Sequence, residues 1–156
     1  MGKIKYVSEI REFFKKSPVV SINSLKKFIN QRDKEYIYLL INNLLKKGEI
    51  KKITRGFYTI HEESSLIVFC FKPSYLGLQD ALSIHDLWEQ ETIPVVITAK
   101  KARQGIRKIF GESNILVRRI DKKYLFGFEY IKQGDFYFPV SDIEKTFIDM
   151  IYFKEN

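Results

Sequence analysis

Residues 34–60 read KEYIYLLINNLLKKGEIKKITRGFYTI. Ile37, Leu40, Ile41, Leu44 and Leu45 recur at i, i+3, i+4, i+7 and i+8, the rhythm of a helix with one buried stripe. Asp33, just before it, is placed to cap that helix. Lys46-Lys47-Gly48 closes it, with basic residues at the negative end of the dipole and then a C-cap glycine. Two short β-prone runs follow, 49–53 and 57–60. Between them Thr54-Arg55-Gly56 is a tight turn in which the glycine supplies a positive φ.

Working outward toward the N-terminus, Val7, Ile10, Phe13 and Phe14 recur at helical spacing, and that helix stops before Ser17-Pro18. Val19, Val20 and Ile22 make a short extended stretch. Asn23 is expected to cap a second helix over 24–30, with Leu25, Phe28 and Ile29 inward. A polar turn, Gln31-Arg32-Asp33, leads into the third helix. Helix, strand, helix, turn, helix, hairpin is the order of a winged helix-turn-helix, assigned to residues 1–62.

The charge is distributed to match. The chain carries 27 Lys and Arg against 19 Asp and Glu over 156 residues. Residues 1–62 hold 14 basic against 6 acidic residues, and 63–156 hold 13 against 13, so the whole excess of eight lies in the first part. That is the footprint of a module that binds a polyanion joined to a neutral partner domain. Turned away from the apolar stripe, the third helix is expected to expose Tyr36, Asn42, Asn43, Lys46 and Lys47, with Lys34 near its start and Arg32 beside it. Amides pair bidentately with adenine, and Tyr and Lys hold phosphates or base edges. The hairpin adds Lys51, Lys52 and Arg55 for backbone or minor-groove contact. Leu39 also falls outward, where it serves a thymine methyl or an interface.

From residue 63 onward the pattern is mixed α/β. Strands are expected over 65–72 (around LIVFCF), 93–98 and 115–120, a helix over 77–87 with Leu78, Ala81, Leu82 and His85 inward, and a basic stretch over 100–108. A hairpin, 126–131 and 135–140, turns at Gln133-Gly134. Ser141-Asp142-Ile143-Glu144 has the spacing of a capping box and opens a last helix with Ile143, Phe147, Met150 and Ile151 inward. Glu144 then reads as a cap and not as a catalytic acid. The fold class expected is α+β: an N-terminal winged helix-turn-helix, 1–62, followed by a small mixed α/β domain, 63–156.

Nothing in the sequence marks an enzyme, a metal site or a cofactor. His61 and His85 are far apart and have no Cys or second His at ligand spacing. No phosphate-binding glycine loop, nucleophile elbow or paired-histidine zinc helix occurs. Asp121-Lys122-Lys123 has part of the spacing of a restriction-type nuclease, but its upstream carboxylate is missing. The single cysteine, Cys70, sits in an apolar run and reads as a buried, inert thiol. With no apolar run near the ~18 residues of a membrane span and no apolar core in the N-terminal stretch, the expected location is cytoplasmic.

Several segments resemble the abortive-infection AbiEi-type antitoxins, transcriptional regulators of type IV toxin–antitoxin operons. Gly48-Glu49-Ile50 and Arg55-Gly56-Phe57-Tyr58 look like their wing. Residues 80–87, DALSIHDL, resemble their S-A-L-x-x-H-G-L helix, followed by the proline-led strand PVVI at 94–97. Residues 140–149, VSDIEKTFID, are similar to their v-x-d-x-E-K-T-x-x-D helix. The resemblance implies that the first domain binds operator DNA and represses its own operon, and that the second opposes a nucleotidyltransferase-type toxin. Asp80 and Asp86 depart from it, standing where the pattern has Ser and Gly, and the chain stops at Asn156, short of the helical C-terminal segment usual in the family. The partners expected are operator duplex DNA and that toxin; no membrane is expected, and a homodimer is left open. The alternatives are a one-component regulator whose second domain binds a small ligand or a protein, and a DNA nuclease.

Overall fold

A computed structural model describes residues 2–29 and 34–154, and of residues 2–6 and 34 the backbone alone. The chain is mixed α+β and divides into two compact units, Met1–Glu63 and Ser64–Asn156, each with its own sheet. Among the described residues no helix is long and apolar enough to cross a membrane.

The first unit runs α1 (Gly2–Lys16), β1 (Val20–Ser21), α2 (Ile22–Ile29), α3 (Lys34–Lys46), β2 (Lys51–Thr54) and β3 (Phe57–Thr59). β1 and β2 flank β3 in an antiparallel sheet, so the stretch around Val20 completes a three-stranded sheet with the hairpin. The stripe Ile37, Leu40, Ile41 and Leu44 is buried against Ile10 and Phe14 of α1, Leu25 and Ile29 of α2, and Tyr58. After α3 the amide of Glu49 donates to the Leu44 carbonyl and that of Gly48 to the Leu45 carbonyl, both at 3.0 Å. With Gly48 at φ 72°, this is a complete Schellman closure. It occupies Gly48 and Glu49, and β2 begins its pairing at Lys51, opposite Thr59, not at the expected 49. The hairpin pairs Thr54 with Phe57 across Arg55-Gly56, with Gly56 at φ 83° and a bulge between Lys52 and Thr54.

Two local expectations in this unit change, and a third lies outside the described residues. Ser21 caps α2, its Oγ accepting from the Ser24 amide at 3.0 Å, and the expected cap, Asn23, is the second residue of the helix. The β1 pairing stops the extended chain at Ser21, so the capping oxygen comes from there. Phe28 is exposed on one side, its ring stacked on Phe13 at 4.5 Å. The turn 31–33, with Arg32 and the Asp33 cap, lies outside the described residues.

The second unit opens with a 3-10 segment (Ser64–Cys70), then β4 (Ser74–Leu76), α4 (Leu78–Ile84), β5 (Val95–Thr98), β6 (Gly105–Ile109), β7 (Ser113–Arg119), a 3-10 turn (Lys122–Tyr124), β8 (Phe128–Gln133), β9 (Phe136–Ser141) and α5 (Ile143–Tyr152). The sheet order is β6-β7-β5-β4-β9-β8, with β4–β9 and β5–β7 parallel. One face carries the 3-10 segment: Ser74 Oγ donates to the Val68 carbonyl at 2.6 Å and Thr98 Oγ1 to that of Phe71 at 2.6 Å. The other face buries Tyr75, Val95 and Ile97 against Leu78, Met150 and Phe153.

The strand expected over 65–72 is thus replaced by a 3-10 segment; with Leu66, Ile67, Val68 and Cys70 all buried, the short apolar run has no period to distinguish strand from helix. β6 was hidden in the basic stretch 100–108, since Arg107 and Lys108 on an edge strand leave little apolar alternation. The β8–β9 turn is Gly134-Asp135, between paired Gln133 and Phe136, one residue later than expected.

The last helix departs most. Asp142 is its cap, accepting from the Lys145 amide at 2.7 Å, so Ser141 is not the cap and exposed Glu144 does not close a capping box. Lys145, Thr146 and Asp149 face inward, whereas Ile143, Phe147 and Ile151 are exposed, Ile151 at 78%. Of the four apolar residues expected inward, Met150 alone packs against the core.

Candidate nucleic-acid interface

The described surface of α3 has one uncovered side. Glu35, Tyr38, Leu39, Asn42, Asn43 and Lys46 lie on it, as ~100° per residue from the buried Ile37–Ile41–Leu44 stripe requires. Lys47 continues it into the turn. Tyr36, expected on this side, is half-buried and packs against the core instead. Tyr38 and Leu39 take the outer position. Tyr38 could have been found by carrying the same wheel one residue further. The side chain of Lys34 and the whole of Arg32 lie outside the described residues.

Beyond the Gly48 turn, Lys51 and Lys52 are exposed on β2 and Arg55 stands exposed at the hairpin tip. Lys51 is ion-paired with Glu62, whose carboxyl is held below its usual range first by that hydrogen bond. Arg11 clamps Glu49 through two bonds of 2.9 and 3.0 Å, and the same contact holds the Glu49 carboxyl low. The two acids nearest the hairpin are therefore occupied by Lys51 and Arg11. Lys46, Lys47, Lys52 and Arg55 enter no ion pair among the described residues. Two exposed carboxamides and four exposed cations outside close ion pairs thus belong to the same unit, a combination that offers both base-edge pairing and phosphate contact.

In the second unit the segments 80–87 and 140–149 come together in the interior. His85 Nε2 lies 2.8 Å from the Ser141 carbonyl, to which the Nε2–H tautomer donates. Ser141 Oγ meets Thr146 Oγ1 at 2.6 Å, and Asp149 accepts from Lys145 Nζ at 2.7 Å and from the Tyr75 hydroxyl at 2.5 Å. Burial and this bond raise the Tyr75 hydroxyl well above its usual range. Asp80 accepts from the Val95 amide at 3.3 Å and from Thr92 Oγ1 at 3.4 Å, and burial pushes its carboxyl up to about 6. Cys70 is buried and its thiol is pushed up to about 12. These polar groups satisfy one another inside the unit. Among the described residues no group of three or more His, Cys, Asp or Glu is placed to hold a metal ion.

No protein-family model matches the chain, and no curated protein matches it significantly.

Proposed function

We propose that the protein is a sequence-specific, duplex-DNA-binding transcriptional regulator, an autorepressor of antitoxin type. Its first unit acts as a winged helix-turn-helix. The observation that carries the reading is the joint exposure of Asn42, Asn43 and Lys46 on α3, Lys47 in the turn after it, and Lys52 and Arg55 on the hairpin that follows. In this reading α3 enters the major groove and its amides read base edges, while Arg55 reaches the backbone or the minor groove. The charge excess of residues 1–62 supports it, because released counterions supply most of the free energy of such binding. The antitoxin role, with a nucleotidyltransferase-type toxin as partner, rests on the resemblance of 80–87 and 140–149 to the AbiEi-type pattern.

The experiment is a footprint of the full chain on the DNA upstream of its own gene, repeated over a salt series. Protection of a defined site, with affinity falling steeply as salt rises, is the expected result. Equal protection along any duplex, or none, rejects the reading.

A further inference from the structure

The end of the second sheet carries an aromatic row that begins in the core and ends in solvent. Tyr75 stacks on Phe128 with ring centroids 5.5 Å apart, and Phe128 meets Tyr130 edge-on at 6.3 Å. The β8–β9 register sets Tyr130 opposite Pro139 and Lys132 opposite Tyr137. Directly opposed residues share a face, so Phe128, Tyr130, Lys132, Tyr137 and Pro139 lie on one side of the hairpin. Tyr75 is fully buried, whereas Tyr130 is 64% and Tyr137 60% exposed. β8 is moreover an edge strand, where exposed rings on a flat face are a liability unless they are used.

Beside the row lies a cavity of about 430 Å³, lined by Phe69, Lys72, Pro73, Phe128, Tyr130 and Pro139 among others. It forms because β4 is three residues long and β9 six, so the start of β9 lacks a partner on that side. The volume falls in the roughly 300–1,000 Å³ range of sites that enclose a small ring system. Lys72 stands at its lip, with Nζ 5.4 Å from the Phe69 ring centroid. Lys72 and Lys132 are exposed and enter no ion pair among the described residues. Alternation along β8 sends Glu129 and Gln133 to the opposite face.

We propose that this face binds an unpaired RNA segment. One base enters the cavity against Phe128 and Tyr130, its neighbour stacks on the exposed rings, and Lys72 and Lys132 meet the backbone phosphates. Open ring faces with interleaved cations fit a strand whose bases are free to stack; a duplex hides those base faces. Unpaired bases are the rule in RNA loops, which makes RNA the occupant. The inference does not depend on the duplex-DNA reading of the first unit.

The test is fluorescence anisotropy of a labelled, mixed-sequence oligoribonucleotide of about 12 nucleotides, within the span of known single-strand sites, titrated with the full chain. Tyr130→Ala and Tyr137→Ala are each expected to weaken binding about tenfold. Tyr130→Phe and Tyr137→Phe are expected to keep it. The pair Lys72→Ala and Lys132→Ala is expected to flatten the slope of log affinity against log salt by about 1.4. Unchanged affinity in the Tyr→Ala variants, equal competition by the same sequence as a duplex or by a mononucleotide, or a chain dimer abolished by those variants would each overturn the proposal.

Discussion

The Lys145 ammonium lies 2.7 Å from the Asp149 carboxylate, one turn along α5, with both side chains almost wholly withdrawn from water. The Tyr75 hydroxyl donates to the second carboxylate oxygen, so the buried anion has two donors on two elements. Removing one member leaves the other charge uncompensated in the interior, which costs about 3–5 kcal/mol. Asp149→Ala is therefore expected to lower unfolding free energy by that amount in urea titration. Ile151→Ser, two residues on but exposed, is expected to stay within about 0.5 kcal/mol. Equal costs for the two would contradict the assignment of Asp149 to the buried face and Ile151 to the exposed one.

Asp80 gives stability a pH dependence of definite sign. Its carboxyl is raised from an ordinary 3.8 to about 6, chiefly by burial and against the bonds from Val95 and Thr92. The folded chain then holds this proton more tightly than the unfolded chain. Its contribution to stability is present at low pH and lost as pH rises from about 4 to about 6. At about 1.4 kcal/mol per pH unit the loss is about 3 kcal/mol. Asp80→Asn does not titrate, so its stability relative to the native protein is expected to rise by about that amount between pH 4 and pH 7. Denaturant titrations at the two pH values measure it, and a constant difference contradicts the assignment.

Asp86 sits at φ 61° just after α4, where its amide donates to Ser83 and the Leu87 amide to Leu82. This is the left-handed position of a Schellman closure, which any residue with a Cβ occupies at a cost. Asp86→Gly is expected to raise stability by about 0.5–1 kcal/mol, and Asp86→Val to lower it, in thermal melts.

The interface makes its own division. Arg55→Ala is expected to weaken binding to all duplex sequences alike, and Asn43→Ala to cost about 1–3 kcal/mol at the preferred site and relax its sequence preference. Tyr36→Ala is expected to lower stability, because its ring packs on the core. Affinities on specific and scrambled duplexes, with a melt for each variant, separate the three. Uniform loss in both Arg55→Ala and Asn43→Ala would remove the distinction between backbone contact and base reading.

By itself the sequence determined the elements whose causes are local. The stripe Ile37–Ile41–Leu44, the stop at Lys46-Lys47-Gly48 and the Arg55-Gly56 turn are set by side-chain period and backbone freedom within a few residues, and each was readable along the chain. Tertiary structure decided where local signals were ambiguous or opposed. Pairing of β1 with β3 made Ser21 and not Asn23 the cap of α2. The run LIVFCF lies in a 3-10 segment through Cys70, and burial of Leu66, Ile67, Val68 and Cys70 together leaves no period in the sequence from which to read that. In α5 the apolar residues Ile143, Phe147 and Ile151 suggest an inward stripe, yet Lys145, Thr146 and Asp149 turn inward. Their partners, Tyr75 and Ser141, come from other strands, and only folding assembles the hydrogen bonds that let polar groups replace an apolar contact.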